Sequence, residues 1–493
     1  MISNVLEKAR EFEEQYGPHI PDTERPVLHV TPTIGWMNDP NGFCAYKGEY
    51  HLFYQYHPYS NESGPMHWGH VKTTDFIRWE RLPVAIAPDE SYDGFGCFSG
   101  SALELPDGRQ LLMYTGVRRE RNEDGFMQDL QTQCIAVGDG ENYEKYELNP
   151  VITAENVPEG FSEKDFRDPK IFREEDGNYY AVVGNRTDDG SGAILLYRST
   201  DGLHWEFVRI LERCFNQFGK MWECPDFFPL DGQRVLMVSP QEMVPVGLEF
   251  HAGNCTMAMI GTYGLEEGFT RKYVQAIDYG LDFYAPQTLE TPDGRRVMIG
   301  WMQNWDTAGA KPHNCRWFGQ MSLPRELSIR NGRLIQNPVR ELEKYRRRCV
   351  MHHNIPVSGE INLPGVQGSV VDMTVTVHPI ANESYRWFRI RVAKDGEHET
   401  IIRYRPDQGT VKIDRTRSGM TQDIVHNRSF LVRPQSGEIK LRIVLDRFSL
   451  EVFVNDGEQA ASAVIYTRQE ANAISFEAGG MVLMDVEKYD LEV

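Results

Sequence analysis

Five times along its 493 residues the chain repeats one short phrase, a glycine followed by an apolar strand, at residues 48–54, 108–114, 177–183, 232–238 and 294–300. The leading glycines, Gly48, Gly108, Gly177, Gly232 and Gly294, are 60, 69, 55 and 62 residues apart, and four of them follow aspartate. Each interval has room for one four-stranded antiparallel sheet with its loops, which is the unit of a propeller blade, so the repeat predicts five blades. A second echo runs with the first. Residues 74–80, ending Arg78-Trp79-Glu80, resemble residues 200–206, ending His204-Trp205-Glu206. They are expected to be matching outer strands of two blades.

Outside the repeat the rhythm changes. Val5, Leu6, Ala9 and Phe12 make a short helical stripe near the start. After Pro324-Arg325-Glu326-Leu327 the blade phrase stops, and a basic run, Lys344-Tyr345-Arg346-Arg347-Arg348, precedes strands such as 385–392 and 441–454 that alternate cleanly and turn on Asn455-Asp456-Gly457. The expected organisation is all-β: an N-terminal helical extension over 1–25, a five-bladed β-propeller carrying the chemistry over 26–345, and a β-sandwich over 346–493.

Composition narrows the partners. Lysine and arginine total 52 against 72 acids, a net charge of −20 that repels phosphate backbones and anionic membranes, so no nucleic acid and no membrane partner is expected. Mean hydropathy is −0.49 and no apolar run approaches the ~18 residues of a span. The eight cysteines are scattered without a C-x-x-C pair, which reads as reduced thiols. Glu7, Lys8 and Arg10 interrupt any apolar leader, and a cytoplasmic location is expected.

Three segments set a carboxylate beside or near proline: Asn38-Asp39-Pro40-Asn41-Gly42, Phe166-Arg167-Asp168-Pro169 and Trp222-Glu223-Cys224-Pro225-Asp226. Asp39, Asp168 and Glu223 each lie nine residues before a repeat glycine; in the other two units that offset falls on Ser99 and Ala285. Equivalent positions in a propeller are related by rotation about its axis, so the three acids should converge at one mouth of the central channel. The neighbourhood lacks the repeated oxygen ligands of a calcium loop, and His51, His57, His67 and His70 lack the cysteine pair or spacing of a zinc site, so no metal is expected. Two carboxyls flanking a scissile bond, with aromatic faces for sugar rings, are what glycoside hydrolysis needs. Trp36, Tyr54, Tyr56, Trp68, Phe98, Trp222, Tyr284 and Trp301 are the candidates for that lining.

The motifs around Trp36-Met37-Asn38-Asp39-Pro40-Asn41-Gly42, Phe53-Tyr54-Gln55, Trp68-Gly69-His70, Phe98-Ser99-Gly100-Ser101, Arg167-Asp168-Pro169, Glu223-Cys224-Pro225-Asp226 and Asp282 to Gln287 closely resemble glycoside hydrolase family 32, and the resemblance continues through 321–327 to Phe448–Phe453. That family contains invertases, sucrose-6-phosphate hydrolases and fructan hydrolases, built as a five-bladed propeller joined to a β-sandwich. The resemblance implies that Asp39 is the nucleophile, Glu223 the acid/base and Asp168 a stabiliser of the transition state through fructose hydroxyls. It places Asn38, Gln55, Phe98, Ser99 and Arg167 in the fructose subsite, with Trp36, Tyr284 and Trp301 among the substrate-binding aromatics. One position departs: many relatives carry tryptophan just before Gly-Pro-Met-His-Trp, where this chain has Ser63.

The expected activity is a retaining β-fructosidase acting on sucrose and short fructo-oligosaccharides through a covalent fructosyl-enzyme, with no cofactor. The alternatives are a sucrose-6-phosphate hydrolase, a fructosyltransferase and, outside enzymes, a sugar-binding protein with a dead site. Phosphate recognition would draw on Arg118, Arg119, Lys311, His313 or Arg316.

Overall fold

The computed structural model describes residues 2–122, 124–312, 315–381, 383–433 and 437–493. His313, one of the candidate phosphate ligands, lies outside them.

The repeat folds into five four-stranded antiparallel sheets around an axis. Blade 1 comprises Gly35–Tyr46, Glu49–His57, His67–Thr73 and Glu80–Ile86; blade 2 comprises Gly96–Glu104, Gln110–Arg121, Met127–Gly138 and Tyr143–Lys145. Blade 3 comprises Phe161–Arg173, Tyr179–Thr187, Gly192–Ser199 and Glu206–Arg213; blade 4, Trp222–Leu230, Gln233–Pro240, Met257–Gly264 and Gly268–Ala276. Blade 5 comprises Tyr284–Glu290, Arg296–Trp301, Arg325–Arg330 and Arg333–Pro338. The excursion between its second and third strands carries the short strand Trp317–Phe318, which pairs in parallel with Gly35 and Trp36 and so ties the last blade to the first. Each repeat glycine sits in the first hairpin of its blade at φ between 74° and 82°, the left-handed region that glycine enters without strain.

The second echo proves to be turns. Residues 74–79 and 200–205 join the third strand to the fourth in blades 1 and 3, and only Glu80 and Glu206 begin strands. Asp75 and Asp201 each accept two backbone N–H groups further along the turn, and the Trp79 and Trp205 indoles donate to the carbonyls of Phe76 and Gly202, both at 3.1 Å. The shared sequence therefore encodes a hydrogen-bonded corner, for which aspartate is suited.

At the N-terminus a helix spans Asn4–Tyr16, capped by the Ser3 hydroxyl accepting from the Leu6 N–H. It lays Leu6, Ala9 and Glu13 against blade 1, while Val5 is exposed. Beyond blade 5, a 3₁₀ turn at Arg340–Tyr345 leads into one ladder of ten strands. Its last strand, Ala473–Leu491, pairs with Tyr385–Lys394 through its first half and with Val371–Pro379 through its second, and Arg346–Ile361 runs along its other edge. Side chains from the two halves, such as Phe388, Ile402 and Ile413 on one and Val375, Ile443 and Val486 on the other, belong to one core. That is a sheet folded onto itself, in the manner of a sandwich.

A buried charge network fastens this sheet to the propeller. Arg325 donates to Glu451 (2.6 and 3.1 Å) and Asp278 (3.0 Å), and His29 bridges Asp446 (2.9 Å) and Glu451 (3.1 Å). Arg415 pairs with Asp282, and all these side chains are essentially inaccessible to water. Burial works against the charge on His29, yet its two carboxylates outweigh that and raise its pKa to about 9. Asp446 and Glu451 are correspondingly held below the usual carboxylate range despite burial.

Candidate active site

Every innermost blade strand carries a β-bulge at the same end. Register slips between Met37 and Pro40, Phe98 and Gly100, Arg167 and Lys170, Glu223 and Asp226, and Tyr284 and Gln287. A bulge adds one residue and re-aims side chains, and these five surround one mouth of the channel. In three of them a non-glycine residue takes positive φ: Asp168 (65°), Cys224 (47°) and Ala285 (51°). Each is followed by proline.

These bulges correct the register inferred by counting from the glycines. Asp168, Cys224 and Ala285 are the equivalent residues, Asp39 stands likewise before Pro40, and Glu223 matches Arg167 and Tyr284 instead. Blade 4 turns its first hairpin on Asp231-Gly232 alone, whereas blade 3 uses residues 174–178, so the glycine of blade 4 arrives one residue sooner after the bulge. Glu223 nonetheless reaches the same mouth, because residues on both sides of a bulge can face the channel.

A cavity of about 930 Å³ opens there, and Asp39, Asp168 and Glu223 all line it, together with Asn38, Gln55, Phe98, Ser99 and Arg167. Asp39 is held through one oxygen: Ser99 Oγ donates to Oδ2 at 2.7 Å, with Gln55 Nε2 supporting Ser99 at 3.1 Å, while Oδ1 has no hydrogen-bond partner among the described residues. Asp168 accepts the Cys224 backbone N–H at Oδ2 (3.0 Å). The Cys224 thiol sits 3.5 Å from both Asp39 Oδ2 and Asp168 Oδ2. Three donors converge on Glu223: Arg167 Nε at 3.0 Å on Oε1, then Gln241 Nε2 at 2.9 Å and the Tyr284 hydroxyl at 2.7 Å on Oε2.

Three buried carboxyls gather near one guanidinium, which pairs with Glu223, and the pKa values of Asp39 and Asp168 reflect the crowding. Burial first, and the Glu223 charge second, push Asp39 up to about 6 and Asp168 up to about 7. Burial opposes the charge of Arg167, but Glu223, Asp168 and Asp165 outweigh it and keep this residue firmly cationic. Asp39 and Asp168 therefore hold their protons to higher pH than a free aspartate does.

The aromatic expectation needs correction. Of the eight candidate aromatics only Phe98 lines the cavity; Trp36, Tyr54, Tyr56, Trp68, Trp222, Tyr284 and Trp301 are at most 3% exposed and pack between blades. Strand alternation sends these large side chains into the blade interfaces, where they bury most area. Trp36 and Tyr284 still reach the site from behind, as donors to Asn38 Oδ1 (2.7 Å) and Glu223. The cavity instead takes its apolar wall from Phe95, Met127 and Trp305, beside an open stretch at Ser63 and Gly64. Trp305, 39% exposed, stacks on Trp36 at 6.2 Å. Gln241, Trp305 and Lys164 fall in no motif, and only the fold brings them to the mouth.

The candidate phosphate ligands scatter. Arg119 lines the cavity but is tied to Asp129 at 2.6 and 3.0 Å; Arg118 pairs with Glu120, Lys311 caps Asn61 and Glu62, and Arg316 binds the His19 carbonyl.

Comparison with known proteins agrees with this architecture. The glycosyl hydrolases family 32 N-terminal domain matches residues 29–338 and the family 32 C-terminal domain residues 341–491. A raffinose invertase of Escherichia coli is 38% identical over 482 residues, covering 94% of both chains, and an E. coli sucrose-6-phosphate hydrolase is 36% identical over 93% of this chain and 92% of its own. Among solved structures, a Bombyx mori family 32 β-fructofuranosidase superposes with a TM-score of 0.83 at 33% identity, over 99% of this chain and 98% of that one. With both halves matched in order and the whole length covered, the chain belongs to glycosyl hydrolase family 32.

Proposed function

We propose that the protein is a retaining β-fructosidase that releases terminal fructose from sucrose and short fructo-oligosaccharides. The observation that carries this is the asymmetry of Asp39 at the wall of a cavity it shares with Glu223: one oxygen is held by Ser99, while the other, Oδ1, is buried without a hydrogen-bond partner among the described residues. In this reading Oδ1 attacks the anomeric carbon of fructose, and Glu223 delivers the proton that lets the leaving oxygen depart. Glu223 then takes a proton from water, which hydrolyses the fructosyl-enzyme. The three donors on Glu223 fix the direction of its carboxyl, and in this reading Asp168, held by the Cys224 N–H, accepts hydroxyl groups of the ring. Free thiols at all eight cysteines support a cytoplasmic setting, where imported short sugars are the available substrates.

The relatives include a raffinose invertase and a sucrose-6-phosphate hydrolase, and the cavity favours an unphosphorylated sugar. Arg119 and Arg167 are already neutralised by Asp129 and by Glu223 and Asp165, leaving Lys164 as the lining cation without an ion pair among the described residues. A panel of sucrose, sucrose 6-phosphate, raffinose and 1-kestose tests this. The expected kcat/KM for sucrose 6-phosphate exceeds that for sucrose by no more than ~10-fold, or ~1.4 kcal/mol. A larger preference that disappears in Lys164→Gln would assign the phosphorylated substrate instead.

A further inference from the structure

Five arginines are buried among the described residues, and four of them meet a carboxylate: Arg167 with Glu223 and Asp165, Arg234 with Glu174, Arg325 with Asp278 and Glu451, Arg415 with Asp282. Arg25 is the exception. It is 8% exposed, and its guanidinium donates to the Thr31 hydroxyl (2.9 Å) and to the carbonyls of Pro32 and Thr33 (2.7 and 2.5 Å), all neutral. Arg81, from the outer strand of blade 1, donates to the same Thr31 Oγ1 at 3.3 Å, so two cations converge on one hydroxyl. A third, Arg447, reaches over from the turn of a sandwich hairpin and binds only the carbonyls of Asp22 and Arg25.

Arg25, Arg81 and Arg447 all line one cavity of about 370 Å³ between the N-terminal segment, blade 1 and the sandwich, with His29, Trp79 and the C-terminal Val493 also in its wall. Neither Asp22, which also lines it, nor Glu13 and Glu14 in the adjoining recess, makes an ion pair with any of them within 4.0 Å. Burial first, and Arg81 second, lower the pKa of Arg25 to about 10, against a smaller opposing effect of Asp22. Trp317 offers only a face 6.0 Å away. Of the three only Arg25 is buried; Arg81 is exposed and Arg447 half-buried, and none of them has a carboxylate within ion-pair distance among the described residues, although the protein carries a net charge of −20.

We propose that this recess is an oxyanion site, separate from the active site, that takes phosphate or the phosphoryl group of a phosphorylated sugar. Planar guanidinium forks from three directions match the tetrahedral oxygens of such a group. Binding there clamps the N-terminal segment, the propeller and the sandwich together.

Calorimetric titration of the full chain with inorganic phosphate, at ionic strength fixed with chloride, should show one saturable site. Arg81→Gln and Arg447→Gln should each weaken it at least ~10-fold without changing kcat on sucrose, and phosphate should not compete with sucrose. A parallel titration with glucose 6-phosphate separates the sources: tighter binding than phosphate assigns a sugar phosphate, weaker binding the free oxyanion, and both support the site. No saturable binding of either, binding unaffected by both substitutions, or strict competition with sucrose would overturn it.

Discussion

Two regions of this protein bury clusters of the same residue types, with different outcomes. Where propeller meets sandwich, the four acids Asp278, Asp282, Asp446 and Glu451 meet three cations, Arg325, Arg415 and His29; Asp446 and Glu451 are held below their ordinary pKa values, while burial pushes Asp278 up. At the channel mouth Asp39, Asp168 and Glu223 gather near Arg167, and Asp39 and Asp168 are pushed up. Burial is common to both, so it does not by itself make a site reactive. The supply of countercharge differs: three cations for four acids hold two domains in register, whereas at the mouth Arg167 pairs with Glu223 alone of the three acids.

The largest expected effect falls on the mouth. Asp39→Asn preserves shape and removes the nucleophile, and should lower kcat at least ~10³-fold, ~4 kcal/mol of barrier, with an unchanged melting temperature or a higher one. Steady-state kinetics and thermal denaturation on one preparation check both halves. Near-normal turnover would end the assignment.

Next comes the interface. Glu451→Gln strips a partner from Arg325 and His29 and should cost about 3 kcal/mol of stability at neutral pH while sparing kcat on whatever remains folded. The pH slope has a definite sign. Because the folded pKa of Glu451 is lowered, its contribution is present above the ordinary glutamate range and fades as pH falls through the folded value, so wild type and variant should converge in acid. Urea unfolding at several pH values measures this.

The smallest effect reverses that sign. Asp168 is raised to about 7, so its favourable contribution exists below the ordinary aspartate range and is lost as pH rises toward 7. Asp168→Asn should therefore be the more stable protein at pH 8, by about 1–2 kcal/mol, and equal to wild type near pH 4, while its kcat falls. A stability loss that grows with pH would show that Asp168 is paired more like the interface acids than the structure indicates.

Much of this was legible in the sequence, for reasons that also mark the limits. A propeller repeats its hairpin, so the glycine phrase exposed all five blades and the helix stripe exposed the N-terminus. The acids were found by a count that was right for Asp39 and Asp168 and only coincidentally right for Glu223, whose blade makes up with a shorter hairpin what it lacks in register. Aromatics misled because size predicts burial better than it predicts stacking on sugar: Trp68 and Trp222 vanished between blades, and Trp305, in a loop with no motif, reached the cavity. The turns at Asp75 and Asp201 were visible as an echo but not as turns, since their meaning lies in side-chain to backbone hydrogen bonds. The unpaired Arg25 and Arg81 come from segments 56 residues apart, and nothing local announces their meeting.

The ring of bulges has a consequence for how such a protein can change. Five bulged positions ring the same end of the channel, occupied here by Asp39, Ser99, Asp168, Cys224 and Ala285, and three of them share a left-handed backbone. The blades, not the occupants, enforce the conformation, since even Ala285 is kept at a φ of 51° that alanine alone disfavours. Side chains can thus be exchanged among these positions with the scaffold indifferent to the trade. Chemistry on this fold is a matter of permutation, with catalytic repertoire changed by reassigning tenants around a circle while the architecture stands still.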